Sequence, residues 1–177
     1  MKSAIKELRK DWELWSETAD KTENGWQSDY PKWPELMKAA IEAMSRASAS
    51  AEQFSDVEFC WTISEESEEM ADYARLHVDS LWDLLMRLAR STHPEVRWQV
   101  YSALAFAGPK AEACLRTGLD DPDSYCRRRA ILSLARVRPK DAKEIAQRFE
   151  SDRDPYIQRA ALELACSYDS GDGSPTA

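Results

Sequence analysis

HPEVRWQVYSALAFA (93–107), DSYCRRRAILSLARV (123–137) and DPYIQRAALELACSY (154–168) are one pattern written three times, at spacings of 30 and 31 residues. Counting from His93, Asp123 and Asp154, the third place on holds Val96, Cys126 and Ile157. The seventh holds Val100, Ala130 and Ala161, and the eighth Tyr101, Ile131 and Leu162. The eleventh holds Leu104, Leu134 and Ala165, and the fourteenth Ala107, Val137 and Tyr168. Those steps return to one face of an α-helix, so each copy predicts a helix with an apolar stripe. Pro94 and Pro155 follow a cap position, where a missing N–H costs nothing. Pro109-Lys110 and Pro139-Lys140, 30 apart, open a further helix each, with Leu115 and Leu119 matched by Ile145 and Phe149. Leu85 lies 30 residues before Leu115, so 79–91 is expected to start the first pair. The pairs become 79–107, 109–137 and 139–168, and a two-helix unit repeating at about 30 residues predicts a helical solenoid. Gly108 and Gly118 are placed to end helices. Leu104, Leu134 and Leu162 are expected to be buried between units.

The rest of the chain reads as a helical cap, 1–78, with a polar tail, 169–177, that should fray. At 177 residues with 43% hydrophobic content the chain is large enough for a core. A helix is expected over 3–18, with Ile5, Leu8, Trp12 and Trp15 on one face and Ser3 as its cap. A loop, 19–34, carries Trp26, Tyr30 and Trp33; these either fold back over the first helices or stand out as anchors for a partner. Pro34 opens a helix expected to run through Phe54. FSDVEFCWTI (54–63) is ambiguous, a short helix or an irregular link. Ser64 is placed to cap a helix whose first turn is Glu65, Glu66, Ser67, Glu68 and Glu69, where carboxylates suit the helix dipole. Asp79-Ser80 either breaks that helix or lets it run on.

This arrangement resembles the HEAT repeat of the armadillo-like group over residues 79–168. The residues that carry the likeness are those of 93–104, 123–134 and 154–165. The resemblance implies an all-α fold, a right-handed α-α superhelix. It also implies an Asp and an Arg four residues on, laddered between neighbouring units. Arg97 and Arg127 fit that ladder; His93 and Gln158 depart from it.

Charge narrows the function. Residues 1–88 hold 10 basic and 19 acidic side chains, whereas 89–166 hold 14 and 11. Residues 52–83 hold ten carboxylates against Arg75 alone, a field that repels nucleic acid and attracts a basic protein. At helical spacing Glu65, Glu68, Glu69 and Asp72 share one face. The partner-binding candidates are therefore Glu65, Glu66, Glu68, Glu69 and Asp72, with Trp26, Tyr30 and Trp33. No catalytic residue and no cofactor is expected: His77 and His93 read as surface residues, and there is no phosphate loop or metal-ligand spacing. The four cysteines, Cys60, Cys114, Cys126 and Cys166, read as buried free thiols. No run of about 20 apolar residues would span a bilayer, and the charged N-terminus is no signal peptide, so a cytoplasmic location is expected.

The expectation is thus a non-catalytic scaffold that captures a basic partner, most concretely an immunity protein or inhibitor of a nuclease toxin. The alternative is a HEAT-like DNA-binding enzyme of the DNA glycosylase type. It would grip the backbone with Arg97, Trp98, Arg127, Arg128, Arg129, Arg136, Arg138 and Lys140, but these spread around their helices, so nucleic acid is not the expected partner. The fold expectation is checked by far-UV circular dichroism: the spectrum should be helical, and a dominant β signal would contradict the repeat reading.

Overall fold

A computed structural model of the protein describes residues 4–23, 25–46 and 50–169. Among them the fold is all-α, with ten helices, three short 3-10 turns and no strand. Two compact units divide the chain, Met1–Gln99 and Val100–Ala177.

The first unit contains α1 (Ala4–Ser16), α2 (Trp33–Met44), α3 (Ala51–Ile63), α4 (Glu69–Leu76), α5 (Trp82–Leu88) and the start of α6 (Pro94–Leu104). α1 lies on α2 and α3, and α4 on α2 and α3. Their shared core is built from Ile5, Leu36, Met37, Ala40, Met44, Val57, Cys60, Trp61 and Met70, all buried. Ser3, the expected cap of α1, and the residues after 169 lie outside the described residues.

Two expectations for this stretch are corrected, and one open choice, at 54–63, falls to the helix. The helix opened by Pro34 stops at Met44 and does not reach Phe54. A new helix, α3, starts after Ser50, whose hydroxyl accepts the Gln53 N–H. The ambiguous 54–63 stretch is helical in full, because Val57, Cys60, Trp61 and Ser64 all bury at the i, i+3, i+4, i+7 spacing of one face. Ser64 does not cap the following helix. It closes α3 instead, with its N–H bonded to Cys60 O and its buried hydroxyl turned back to Trp61 O. Residues 64–67 form a turn, and α4 begins only at Glu69, behind a Glu68 held at φ 52°. Asp79 and Ser80 do break the chain, in a turn between α4 and α5.

The second unit contains the end of α6, then α7 (Glu112–Gly118), α8 (Ser124–Val137), α9 (Ala142–Phe149) and α10 (Pro155–Asp169). α7 packs on α8, α9 packs on α10, and α8 packs on both α9 and α10. Gly108, at φ 65°, lets the chain turn out of α6 ahead of Pro109. The predicted stripe is the core: Val96, Val100, Leu104, Cys126, Ala130, Ile131, Leu134, Ile157 and Ala161 are all fully buried. Leu85 and Leu115, 30 apart, are fully buried too, and Ile145 nearly so.

The turn before each of α6, α8 and α10 is built in the same way. The N–H of His93 donates to Ser91 Oγ, that of Asp123 to Asp121 Oδ1, and that of Asp154 to Asp152 Oδ1. Asp123 then accepts the Cys126 N–H, and Asp154 accepts those of Tyr156 and Ile157. Four places into the helix a long side chain reaches back to a loop carbonyl: Arg97 to Ser91 O at 3.0 Å, Arg127 to Asp121 O at 2.8 Å, Gln158 to Glu150 O at 2.9 Å. These side chains tie down the loop of their own unit, because the carbonyls there have no helical partner. A rung survives at Asp154, whose carboxyl is held below the ordinary range by the Ser124 hydroxyl first, with backbone N–H groups and the Arg127 charge adding to it.

Two burial expectations also fail. Leu162 is 50% exposed, since it occupies the outer side of the last helix, where no further unit follows among the described residues. Of the thiols, Cys60 and Cys126 are buried, Cys114 is half-buried, and Cys166 is exposed. Leu134→Ala should cost about 2–5 kcal/mol, a cavity in a dry core, whereas Leu162→Ala should cost about 0.5 kcal/mol or less, as at an ordinary surface position. Paired urea unfolding curves check this, and equal losses would contradict the helix phase.

Candidate functional site

The aromatic loop folds back. Gly25, at φ 80°, turns the chain into a 3-10 turn over Trp26–Asp29. Trp26 stacks on Trp15, with ring centres 5.9 Å apart, and lies 5.8 Å from Trp12. Tyr30 is buried against Trp15, and its hydroxyl donates to Asp11 Oδ2 at 2.7 Å. Trp33 is buried as the first residue of α2, and its Nε1–H donates to Glu69 Oε1 at 2.9 Å. Trp26 and Tyr30 thus pack on α1, and Trp33 ties α2 to α4, so the rings are engaged within the fold.

The carboxylates are divided by the same tertiary logic. Lys6 pairs with Glu52 at 2.6 Å, and Arg9 stands 3.9 Å from the buried Asp56. Arg75 bridges Glu68, at 2.5 Å, and Asp72. Glu69 is occupied by Trp33. The single face expected for Glu65, Glu68, Glu69 and Asp72 does not exist, because Glu65 and Glu68 precede the helix that carries the other two. The pairs at exposed positions contribute little to stability, and Lys6, Arg9 and Arg75 neutralise only part of the field of the ten carboxylates.

Glu65 and Glu66 are joined by Glu95 from the first turn of α6. Burial lifts the Glu65 carboxyl above the ordinary glutamate range. The charges of Glu95 and Glu66 lift it further, against a hydrogen bond from the nearly buried Trp98. Glu66 is exposed, while Glu65 and Glu95 are half-buried. The result is a carboxylate cluster whose charges repel one another across a partly dry surface, a place where an incoming cation would be stabilised. Glu95 escaped the sequence reading because it stands far from the acidic run. The signal was available: Glu65 and Glu95 are 30 residues apart, one repeat period.

His77 and His93 are exposed, and the His77 ring packs on Tyr73. Among the described residues no group of three or more His, Cys, Asp or Glu is placed to hold a metal ion. No described helix is long and apolar enough to cross a membrane. Of the basic side chains that the nucleic-acid alternative would need, Arg138 pairs with Glu112 at 2.7 Å and Asp141 at 2.8 Å, Arg136 lies over the Phe106 ring, and Arg129 donates to the Tyr125 hydroxyl. Comparison with protein-family models finds no match, and comparison with curated proteins finds none.

The raised Glu65 predicts a pH signature. A carboxyl with a folded pKa above its unfolded one binds its proton more tightly in the folded state. Its contribution to stability is full below the unfolded pKa, about 4.3, and is lost as pH rises through the folded value. Glu65→Gln removes the charge and keeps an acceptor for Trp98. The variant should melt higher than the parent at pH 7, and the gap should close by about pH 4; a gap that does not depend on pH would contradict the assignment.

Proposed function

We propose that the chain is a non-catalytic, cytoplasmic, protein-binding scaffold of HEAT-like helix pairs, wound as a right-handed α-α superhelix, that captures a basic protein. Its most concrete form is an immunity protein or inhibitor that neutralises a nuclease toxin. The observation that carries this reading is the carboxylate cluster of Glu65, Glu66 and Glu95, whose charges repel one another on a partly buried surface. The charge of residues 1–99, 20 acidic against 12 basic, gives the same sign over a longer range. A basic partner would relieve the repulsion that holds Glu65 high, and would gain association rate from steering. The repeat itself supports the scaffold half of the reading, since stacked helix pairs present extended surface for another protein. The DNA-binding alternative has less support, because Arg127, Arg129, Arg136 and Arg138 are engaged within the fold.

The test uses basic nuclease domains encoded beside the gene, with association followed by surface plasmon resonance. The triple variant Glu65→Gln, Glu66→Gln, Glu95→Gln should fold as the parent does, associate about tenfold or more slowly at low salt, and lose most of its salt dependence. Unchanged kinetics at low salt would reduce the cluster to solvated surface.

A further inference from the structure

We propose that the cavity of about 260 Å³ lined by Tyr125 and Tyr156 takes an uncharged aromatic ring, the side chain of a tryptophan, tyrosine or phenylalanine on a protein partner. That the ring comes from a protein rests on the protein-binding reading; the preference for an uncharged ring does not.

The two tyrosines hold one place in successive units, two residues past the cap Asp and second in α8 and α10. The first unit has Glu95 at that place. The fold sets the two rings before anything enters. Ser124, beside Tyr125, gives its hydroxyl to the Asp154 carboxylate, which clamps the first turn of α8 to the cap of α10. Asp154 in turn takes the Tyr156 N–H at 2.9 Å. The Tyr125 ring is held by Arg129, which donates to its hydroxyl at 2.7 Å and stands 5.1 Å from the ring centre. Walls fixed in advance spare a guest the entropy of ordering its own site.

Charge selects the guest. An entering cation would meet Arg128 in the lining and Arg129 beside Tyr125. An entering anion would meet Asp154, a carboxylate that the Ser124 hydroxyl holds in its charged form. Either sign is opposed at close range, and an uncharged group by neither. Ser124, Tyr125 and Asp154 are already bonded within the protein, so little of the wall asks for a polar guest. Both rings are exposed, Tyr125 by 39% and Tyr156 by 71%. A third ring can stack on them or meet them edge-on, a gain that an aliphatic group of the same size does not bring. The volume falls below the roughly 300–1,000 Å³ of pockets for drug-sized ligands, and so suits one side chain.

The test follows the tyrosine ring signals of the full chain by NMR during titration with N-acetyl-tryptophan amide. The signals of Tyr125 and Tyr156, assigned from the Tyr125→Phe and Tyr156→Phe spectra, should shift together and saturably. The leucine analogue should bind about two- to tenfold more weakly, and the glutamate and arginine analogues more weakly still. Tyr156→Phe keeps the ring and should bind as the parent does. Tyr156→Ala, at an exposed position, should keep the backbone spectrum and bind about tenfold more weakly or worse. No shift at either ring, equal affinity for the leucine analogue or for a charged one, or an unchanged response in Tyr156→Ala would each overturn the inference. So would tighter binding of adenosine, the mark of a nucleobase site. Because the probe needs no partner, a silent pocket on a chain that still captures a basic protein would sink this inference alone. A responding pocket on a chain that captures no protein would leave the ring preference standing and sink the scaffold reading.

Discussion

The packing of residues 100–177 depends on how closely α7 approaches α8. A Cβ built on Gly118 would lie 2.8 Å from the Ala130 Cβ and 3.0 Å from the Tyr101 ring, so the position has room for hydrogen only. Glycine inside a helix costs roughly 0.5–1 kcal/mol relative to alanine. Here the cost is offset by the contact it permits. With α7 seated there, Leu115 and Leu119 close over one side of α8, and Cys126, Ala130, Ile131 and Leu134 become fully dry. α8 then serves α9 and α10 from its other sides. Tyr101 is part of the same arrangement: its hydroxyl donates to the buried Asp121, the residue that also accepts the Asp123 N–H and orders the turn into α8. Burial and that carboxylate together hold the phenol well above its ordinary pKa. The small residue, the aromatic ring and the turn are one device, and losing the first would displace the other two.

How much of this was legible follows from what kind of property each feature is. The stripe of α6, α8 and α10 is local: apolar side chains recur at the helical period, and the same places recur at 30 residues, so both helix and phase were readable. The dryness of Leu162 is not local. Its counterparts Tyr101 and Ile131 are buried, and the same place in the last helix is half exposed. A repeat pattern specifies which face wants to be covered without supplying the cover. The opposite error occurred in α3. Its β-branched and aromatic residues weakened the helix reading, yet Val57, Cys60 and Trp61 are dry on one face of a helix. Intrinsic preference yielded there to burial, as it does when packing decides. Ser64 failed as a cap for a related reason: its hydroxyl had a nearer acceptor behind it, the Trp61 carbonyl, and a buried hydroxyl takes the bond at hand.

Charge was the least legible property, because ion pairs ignore sequence distance. Ten carboxylates against one arginine in 52–83 looked like an open field. Lys6 reaches Glu52 across 46 residues, and Trp33 reaches Glu69 across 36. No window of the sequence contains both members of either pair. The aromatic trio is the same lesson with the opposite outcome. Trp26, Tyr30 and Trp33 lie in a polar, Gly- and Pro-broken loop, which allowed them to be either anchors or a seam. The ring stacking and the Tyr30–Asp11 bond place Trp26 and Tyr30 against α1, and the Trp33–Glu69 bond ties Trp33 to α4.

A count of charged residues therefore overstates what this molecule can present to another. The charges able to act outward are those the fold leaves over. In residues 1–99 the remainder is negative, 20 acidic against 12 basic side chains, and includes Glu65, Glu66 and Glu95. In residues 100–177 acidic and basic side chains number twelve each, so the net field is zero, yet the fold leaves Arg128 with a donor unmet. The two units therefore differ in net charge, negative in residues 1–99 and zero in residues 100–177. A net negative unit steers a basic partner but cannot discriminate among basic partners, since a field reads charge and not shape. The repeat brings residues one period apart side by side, as Glu65 with Glu95 and Tyr125 with Tyr156, so each substitution in one unit finds its neighbour already placed by the next.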